Sequence, residues 1–537
     1  MTAKGHIGLG PPSTDKTLGA LPVIAELCRR LDLAGIIDRA CPIRDVAIAT
    51  HGQVIETLVA NRLTSPTPLV HVEDWANQWA VPEILGVEAA ALNDDRIGRA
   101  LDAIAPKLEA IVGSVGAAAI AVFGVDVARL HWDMTSISLY GAYPDVEQGF
   151  VEPRYDHPKD RRPDLKQVQT GLAVSGDGGV PIFHRAYDGG AAEASQVTGA
   201  MQALRKLAGE RRFLLVGDSK LVSYPNLAAL IDAGVEFIAP ASKAYVDTAT
   251  LAAQDVETAV PVDYVAERDQ AKPAEARGAW RVVEDQMTLA GKRKSDPVLQ
   301  LRRIFVWSSA RAGAAKTARA KKLDRARDDL QRLERGLGGR HYPTVKKVTE
   351  RLAVIARQRR VKAYLRYDVG VDEAGKPTLA WRFDEDALAA EAAADGWYAL
   401  LTNLDPTEVD AAEVLRRYKG QEAVERRYGN FKGPLAVAPM FLRSNRRIEA
   451  LISVICLALL IFCLVERALR LAIAPALVLA GLWAGRPAKP TGRLIFTALS
   501  RLRLIPATAT SPAVIPRPPP LQARILELLG VDPTRRR

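Results

Sequence analysis

The feature that most limits how this chain can fold is an uncharged apolar run near its carboxyl end, from Leu451 to Val465. The run has 15 residues, fewer than the roughly 18 to 20 that a helix needs to cross a bilayer. Glu466 and Arg467 follow it directly. A membrane helix is the alternative interpretation. The length favours a helix buried in the protein core, where it can close one face of a sheet, so we expect no association with a membrane.

Length and charge indicate several domains and a polyanionic partner. The 537 residues correspond to three or four domains at about 150 residues each. The formal net charge of +11 favours a partner such as nucleic acid. The four cysteines form no CxxC pair, which argues against a zinc finger or a disulfide framework. The amino-terminal residues lack the apolar core of a signal peptide, so we expect a cytoplasmic protein.

One segment carries the excess of positive charge. Between Lys316 and Arg366 there are 17 Lys and Arg against 5 Asp and Glu, so the rest of the chain is close to neutral. Breaks at Gly338, Gly339 and Pro343 divide the segment into a predicted helical hairpin. Two interpretations are open: contact with the DNA backbone, because both helices lean to one sign of charge, or a solvated hairpin that spaces the domains. The candidate DNA contacts are Arg357, Arg359 and Arg360.

The hydrophobic pattern changes along the chain. Residues 1–115 alternate apolar-periodic helices with polar turns, as in LNDDRIGRALDAIAPKLEAIVG, where an Asn/Asp cap precedes a helix. The runs VARLHWDMTSISLYG, LKQVQTGLAVSG and VPIFHRAYDGG then predict a three-stranded antiparallel meander. Two αβ units follow, with RRFLLVGD and VEFIAPA as strands. We therefore predict an α/β fold with a mixed five-stranded sheet and flanking helices.

Further along, the sheet pattern is interrupted and then resumes. The run DGWYALLTN predicts another strand, and AAEVLRRYKGQEAVERRYGNFKG predicts one helix that ends at Gly433-Pro434. A Pro-rich stretch near Pro506 to Pro520 is expected to be extended or disordered. The predicted divisions are a helical DNA-binding domain (1–115), a first core part (116–245), an insertion (246–394), a second core part (395–475) and a carboxyl-terminal helical segment with the Pro-rich tail (476–537).

Two aspartates stand where the predicted sheet could build a site. Asp133 lies within a strand, where Asp is disfavoured, and Asp218 follows FLLVG at a carboxyl strand end. If the first and fourth strands are neighbours, the two carboxylates face each other, and such a pair requires a cation. The alternatives are an edge-strand carboxylate for Asp133 and a turn or capping residue for Asp218.

The late helix offers a third acid. At about 100° per residue, one stripe of roughly 60° holds Tyr418, Gln421, Glu425 and Lys432. The alternative is an ordinary surface helix of mixed charge. Three carboxylates without a histidine suit Mg²⁺ or Mn²⁺, and two such ions can activate water or a 3′-hydroxyl against a phosphodiester. No GxxxxGK[ST] loop for nucleotide phosphates is present.

Together these motifs resemble the insertion-sequence DDE transposases, in the branch whose third acid lies in a Tyr-x2-Arg-x3-Glu-x6-Lys signature. The signature stands here as YKGQEAVERRYGNFK, with Gln421 where the family usually has Arg. HWDMTS, with Thr135, is similar to the first-Asp strand, and VGDSKLVSYPNL to the second-Asp segment. HPKDRRPDLKQVQTGLAVSGDGGVPIFHRAYDGG resembles the intervening hairpin, and NDDRIGRALD part of the amino-terminal domain. The resemblance covers roughly residues 20 to 470.

This resemblance implies an RNase H-like catalytic core with an insertion domain before the third acid. It implies that Asp133, Asp218 and Glu425 are catalytic and bind the metal, as two Mg²⁺ or Mn²⁺ ions. The residues expected to position DNA phosphates are Tyr418, Gln421, Lys432 and Lys166. The activity implied is cleavage at transposon ends followed by strand transfer.

The implied partners are double-stranded DNA, both as terminal inverted repeats and as target, and a second copy of the chain in a homodimeric synaptic complex. The implied location is the nucleoid in the cytoplasm of a bacterium. Two rival functions remain open: a metal-dependent nuclease of the same fold without strand transfer, and a DNA-binding protein that keeps the fold without catalysis.

Overall fold

The computed structural model describes residues 14–44, 46–156, 159, 161–266, 269–270, 272–437, 440 and 442–536. The chain divides into two compact units: unit 1 comprises Met1–Val216 and Gly420–Arg537, and unit 2 comprises Gly217–Lys419. The predicted insertion, 246–394, falls within unit 2. The segment 1–13, taken above to lack a signal sequence, lies outside the described residues, as do residues 157, 158 and 160 of the intervening hairpin.

Unit 1 opens with a helical region, as the sequence predicts. Thr50 and Gln53 form a capping box, and the Asn93 side chain accepts a hydrogen bond from the backbone N–H of Arg96, which confirms the predicted cap. The elements are β1 (Lys16–Thr17), α1 (Leu21–Arg30), α2 (Leu33–Ala40), α3 (His51–Thr64), α4 (Val72–Gln78), α5 (Val81–Leu85), α6 (Asp94–Ile104) and α7 (Leu108–Phe123), with 3-10 turns at Leu69–His71, Ala89–Leu92 and Ala105–Lys107.

A mixed sheet follows in unit 1. Its elements are β2 (Arg129–Leu139), β3 (Lys166–Ser175), β4 (Pro181–Tyr187), α8 (Glu193–Ala208) and β5 (Leu214–Val216). Strands β2, β3 and β4 form the predicted antiparallel meander. Strand β5 pairs with β2 in parallel, with His131 opposite Val216. The prediction of a mixed α/β fold is therefore confirmed, and the first and fourth strands are neighbours, which is the condition that the argument for the two aspartates required.

Unit 2 holds five more strands, in the order β6-β12-β9-β8-β7, and a separate hairpin of β10 and β11, so the prediction of a five-stranded sheet gives too few strands. The strand expected in DGWYALLTN is confirmed as β12. The elements are α9 (Tyr224–Asp232), β6 (Glu236–Pro240), α10 (Thr248–Ala252), β7 (Val260–Pro261), a 3-10 turn (Ala274–Ala276), β8 (Trp280–Leu289), β9 (Leu299–Ser308), α11 (Ser309–Arg335), α12 (Val345–Gln358), β10 (Leu365–Val371), β11 (Pro377–Phe383), α13 (Glu385–Ala393), β12 (Trp397–Thr402) and α14 (Ala411–Lys419).

The basic helical hairpin is confirmed, whereas the long hairpin of β8 and β9 is not anticipated by the sequence. Helices α11 and α12 pack through buried residues such as Leu330, Leu352 and Ile355. Charged residues interrupt the alternation of apolar and polar side chains that would otherwise predict β8 and β9. Arg302 lies 2.6 Å from Glu284, and Arg303 forms the matching pair with Asp285. Opposite charges on facing strands stabilise such a pairing but hide its hydrophobic alternation.

The predicted late helix is divided into two helices, and the second of them opens the carboxyl-terminal part of unit 1. The prediction of one helix over AAEVLRRYKGQEAVERRYGNFKG is wrong, because α14 ends at Lys419 and a new helix begins at Glu422. Gly420 interrupts the helix, as glycine does at low energetic cost. The elements are α15 (Glu422–Lys432), α16 (Asn445–Ile473), β13 (Leu479–Trp483), β14 (Arg486–Ala488), α17 (Gly492–Leu499), β15 (Arg503–Leu504) and α18 (Pro520–Leu529).

Helix α16 contains the apolar run and forms the centre of unit 1. The helix has 29 residues, which is long enough to cross a bilayer, so the argument that it is too short to do so is wrong. The predicted burial is confirmed, because 94% of its most apolar 18-residue stretch is buried. It packs against α1, α3, α6, α18 and strand β4. A second stretch, Asp94–Phe123, is also long and apolar enough to cross a membrane and is 33% buried. Burial, rather than length, makes α16 a core helix.

Candidate active site

Asp133 occupies the middle of β2, and a lysine offsets its charge there. Its side chain is 16% exposed, and Lys159 places its Nζ 3.6 Å from the Asp133 Oδ1 atom. The same oxygen accepts a hydrogen bond of 2.8 Å from the backbone N–H of Met134. A carboxylate in a strand is tolerated when a cation and a hydrogen-bond donor face it, and both are present.

Lys159 also links Asp133 to a second acid, Glu193. The Lys159 Nζ atom lies 3.4 Å from Glu193 Oε1 and donates a hydrogen bond to the backbone carbonyl of Met134. Glu193 is the first residue of α8. From sequence alone it is an ordinary acid in the first turn of a helix, where the helix dipole favours it. Only the structure brings the two carboxylates to the same ammonium.

Tyr428 connects α15 to the strand that carries Asp133. Its hydroxyl donates a hydrogen bond to the Asp133 carbonyl oxygen at 2.6 Å and lies 3.0 Å from the Thr170 carbonyl oxygen on β3. Burial, together with the nearby carboxylates of Asp133 and Glu193, holds the Tyr428 pKa well above its usual value. The hydroxyl therefore keeps its proton and remains a donor. Sequence reasoning missed Tyr428, although its spacing of three residues from Glu425 was a usable signal.

Glu425 and Lys432 both lie on the exposed surface of α15. They are seven residues apart, and two full helical turns return the second residue to about 20° from the first. The predicted polar stripe therefore holds for this pair. It does not extend to Tyr418, because the break at Gly420 separates that residue from α15.

Gln421 is buried against β2. Its side-chain amide donates to the Trp132 carbonyl at 3.2 Å, and its carbonyl oxygen accepts from Nδ1 of His131 at 3.2 Å. Burial is the main cause that lowers the His131 pKa to about 4, so this imidazole is neutral at pH 7. Gln421 is 8% exposed. The structure thus gives Gln421 a strand-to-helix contact instead of the phosphate contact expected from the sequence.

A buried ion pair holds the other side of α15. Arg427 lies 2.9 Å from Glu466 on α16, and both side chains are less than a tenth exposed. Arg427 also donates to the backbone carbonyls of Gly178 and Gly179 in the turn between β3 and β4. The second carboxylate oxygen of Glu466 accepts from the Gly492 N–H at 2.8 Å. These contacts, with those of Gln421 and Tyr428, fix the orientation of α15 within unit 1.

Tyr418 and Asp218 belong to unit 2. Tyr418 lies on α14 with its ring centre 6.5 Å from that of Tyr398, beside Lys419, whose ammonium is 4.0 Å from the centre of the Trp280 ring. Asp218 is half-buried, and its Oδ1 atom accepts from the backbone N–H of Lys220 at 2.8 Å. A side-chain contact of this kind caps a turn, which is the alternative that the sequence left open for Asp218.

The remaining candidates differ in how accessible they are. Lys166, the first residue of β3, donates to the Tyr143 carbonyl at 3.2 Å. Arg357 and Arg360 are exposed on the basic hairpin. Arg359 instead donates to the buried Asp329 of α11 at 2.7 Å, so this arginine ties the two helices of the hairpin together.

Among the residues that the structure describes, no group of three or more His, Cys, Asp or Glu side chains is arranged to hold a metal ion.

A family model matches residues 13–110 and describes a domain of unknown function, DUF4277. No curated protein matches the chain. A cryo-EM structure of the piggyBac transposase synaptic complex with hairpin DNA is similar at 8% identity and a TM-score of 0.35, over 89% of this chain and 79% of that chain. A TM-score this low does not establish a shared fold.

Proposed function

We propose that this chain is the transposase of an insertion sequence, which cuts DNA at transposon ends and joins the freed 3′ ends to target DNA. The observation that carries the proposal is the contact of Tyr428 with Asp133. Glu425 precedes Tyr428 by one helical turn, so the contact ties the helix of the third acid to the strand of the first. Such support by neighbouring packed residues is what a precise catalytic site requires.

Strand register supports including Asp218. The last paired residues of the parallel strands β2 and β5 are His131 and Val216. Asp133 and Asp218 each stand two residues further along. Strand β5 ends at Val216 and β2 continues past it, so both carboxylates follow the last pair of the two parallel strands, at the carboxyl end of β5, and such ends are where open α/β sheets build their sites. We assign the catalytic role to Asp133, Asp218 and Glu425, in an RNase H-like core.

The donor chemistry of these residues fits a hard divalent cation. Carboxylate oxygens are the preferred ligands of Mg²⁺ and Mn²⁺, and Asp133 with Glu193 already shares one ammonium, that of Lys159. Asp133, Asp218 and Glu425 would hold the ions. When bound, two ions would lower the cost of forming the attacking oxygen nucleophile and of releasing the leaving oxygen.

The exposed cations have a separate part in the proposal. Lys432 shares the exposed face of α15 with Glu425, so it would hold a phosphate close to the scissile bond. Lys166 and Tyr418 would contact phosphates further along the strand, and the basic hairpin of unit 2 would contact the duplex backbone. Gln421 is left out, because both of its amide atoms are already bound to β2. A homodimeric synaptic complex and a cytoplasmic, nucleoid location complete the proposal.

The decisive experiment is a joining assay. Purified full-length protein is incubated with Mg²⁺, a labelled duplex that carries the ends of the element encoding it, and a target plasmid. We expect nicking at the ends and then covalent joining of the 3′ end to the plasmid. Nicking without joining would identify a nuclease, and binding without nicking would identify a DNA-binding protein. A duplex with scrambled ends is the control for sequence specificity.

A further inference from the structure

A cavity of about 700 Å³ lies in unit 1, away from Asp133 and Glu425. Its walls are mainly apolar and come from the end of α3, the segment 66–70, the described residues between α15 and α16, and the first half of α16, with side chains such as Pro68, Leu69, Met440 and Leu451. Four charged residues line the cavity: Arg62, Asp94, Arg443 and Arg447. Cavities of this size and composition, apolar with a few polar groups, are typical of small-molecule sites.

Arg62 is the unusual member of this lining. It is 8% exposed, and among the described residues no carboxylate or other hydrogen-bond acceptor contacts its guanidinium. Burial, the sole cause acting on it, lowers the Arg62 pKa to about 10. Arg447, in the same wall, is in contrast bound by Asp102 at 3.0 and 2.7 Å. A buried charge without a partner is costly in free energy. A bound anion next to Arg62 would offset that cost.

From these two observations we infer that the cavity binds a small organic anion, in which a carboxylate or a phosphate monoester is attached to an apolar body. A guanidinium matches either head group with paired hydrogen bonds. The apolar walls fit the body of such a ligand, and the exposed Arg443 adds a second positive charge. Asp94, the acid in the lining, selects against ligands that carry a second negative group near it. This site is independent of the proposed transposase activity.

The test uses the full chain and isothermal titration calorimetry. The probes are thymidine 5′-monophosphate for the phosphate head group and 3-phenylpropionate for the carboxylate, with thymidine and 3-phenylpropionamide as neutral controls. We expect one of the anions to bind and its neutral control not to bind; which anion binds identifies the head group. Inorganic phosphate is titrated as a further control. If it binds with the same affinity as the organic anion, the cavity holds an adventitious ion only, and the proposal is overturned.

Two variants assign the binding to the cavity. Arg62→Met removes the charge while keeping an extended side chain, and we expect at least about a tenfold loss of anion affinity with an unchanged or higher Tm. Val70→Trp, at a 60% exposed wall position, narrows the cavity and should also weaken binding while leaving Arg62 in place. Arg99→Met, at an exposed arginine paired with Asp95, is the matched control. Unchanged affinity in both cavity variants, or a lower Tm of Arg62→Met without any anion binding, would show that Arg62 has only a structural role.

Discussion

The hydroxyl of Tyr428 donates a hydrogen bond of 2.6 Å to the backbone carbonyl of Asp133, although the two residues are far apart in sequence. The contact sets the distance between the strand of Asp133 and the helix of Glu425, the proposed first and third acids. Because the oxygen that accepts it belongs to the backbone, the Asp133 carboxylate stays available to Lys159 and to a metal ion.

Tyr428→Phe should weaken both stability and cleavage. The change removes one buried hydrogen bond and leaves the Asp133 carbonyl without it, at a cost of about 1 to 2 kcal/mol in the free energy of unfolding. Metal-dependent nicking should fall further than this loss of stability explains, because Glu425 loses its alignment. Chemical denaturation and the nicking assay measure the two effects. Tyr367→Phe, at an exposed tyrosine of unit 2, is the control, and equal activity in both variants would contradict the prediction.

Replacing an acid of the triad should abolish cleavage and preserve DNA binding. In Asp133→Asn, Asp218→Asn and Glu425→Gln, we expect nicking to fall by at least about a hundredfold, because one lost carboxylate vacates part of a metal site. The affinity for duplex DNA should stay close to that of the parent, since the backbone contacts lie elsewhere. Glu422→Gln, on the same helix, is the matched control. Any triad variant that retains Mg²⁺-dependent nicking excludes its residue from the site.

Lys159→Met should make the protein more responsive to Mg²⁺. Without the ammonium, the carboxylates of Asp133 and Glu193 lose the cation that lies within 4 Å of both, and repulsion between them favours the binding of another. We expect a lower Tm without metal and a larger rise of Tm on adding Mg²⁺ than in the parent. Differential scanning fluorimetry over a Mg²⁺ series measures this. Lys206→Met, at an exposed lysine of α8, controls for loss of charge, and the same Mg²⁺ response in both variants would refute the prediction.

The buried pair of Arg427 and Glu466 should make stability depend on acid pH. Burial raises the Glu466 pKa, but Arg427, Arg470 and the Gly492 N–H together outweigh it, so the pKa lies below its ordinary value of 4.5. The stabilisation is therefore fully present above pH 4.5 and is lost as the pH falls through the lower folded-state value.

Glu466→Gln tests this dependence. It should cost about 3 to 5 kcal/mol at pH 7 by leaving Arg427 unpaired, and it should flatten the stability profile at acid pH. Urea unfolding at several pH values gives both quantities. Glu527→Gln, at an acid that is 68% exposed and paired with Arg524, should leave the profile unchanged; a parent-like profile in Glu466→Gln would mean that the pair contributes nothing to acid sensitivity.

The basic hairpin should give DNA binding a strong salt dependence. Because Arg359 is paired with Asp329, the informative variant is Arg357→Gln with Arg360→Gln. If both arginines contact phosphates, the slope of log affinity against log salt should become shallower by about 2. Specific and nonspecific DNA should be affected alike, since phosphate contacts carry no base information. A double variant at the exposed residues Arg486 and Arg524 is the control, and an unchanged slope would leave the hairpin as a spacer between domains.

The features that depend on short-range periodicity can be predicted from the sequence. The alternation of residues in β2, β3 and β4 predicts the meander, the breaks at Gly338 and Pro343 predict the hairpin of α11 and α12, and the apolar run predicts a buried α16. Each of these patterns lies within a few turns or one strand, where hydrophobic spacing reflects the burial of one face.

The surroundings of Asp133 could not be predicted from the sequence, because they depend on tertiary contacts. Lys159, Glu193 and Tyr428 reach it from three separate elements, and no local spacing records such contacts. The same holds for Gln421, which the helical stripe grouped with Tyr418, Glu425 and Lys432. Its neutral amide can be buried when both atoms are hydrogen-bonded, and His131 and Trp132 supply those partners from residues about 290 positions away. Gly420 then allows the chain to break between α14 and α15, so that one predicted helix becomes two with different neighbours.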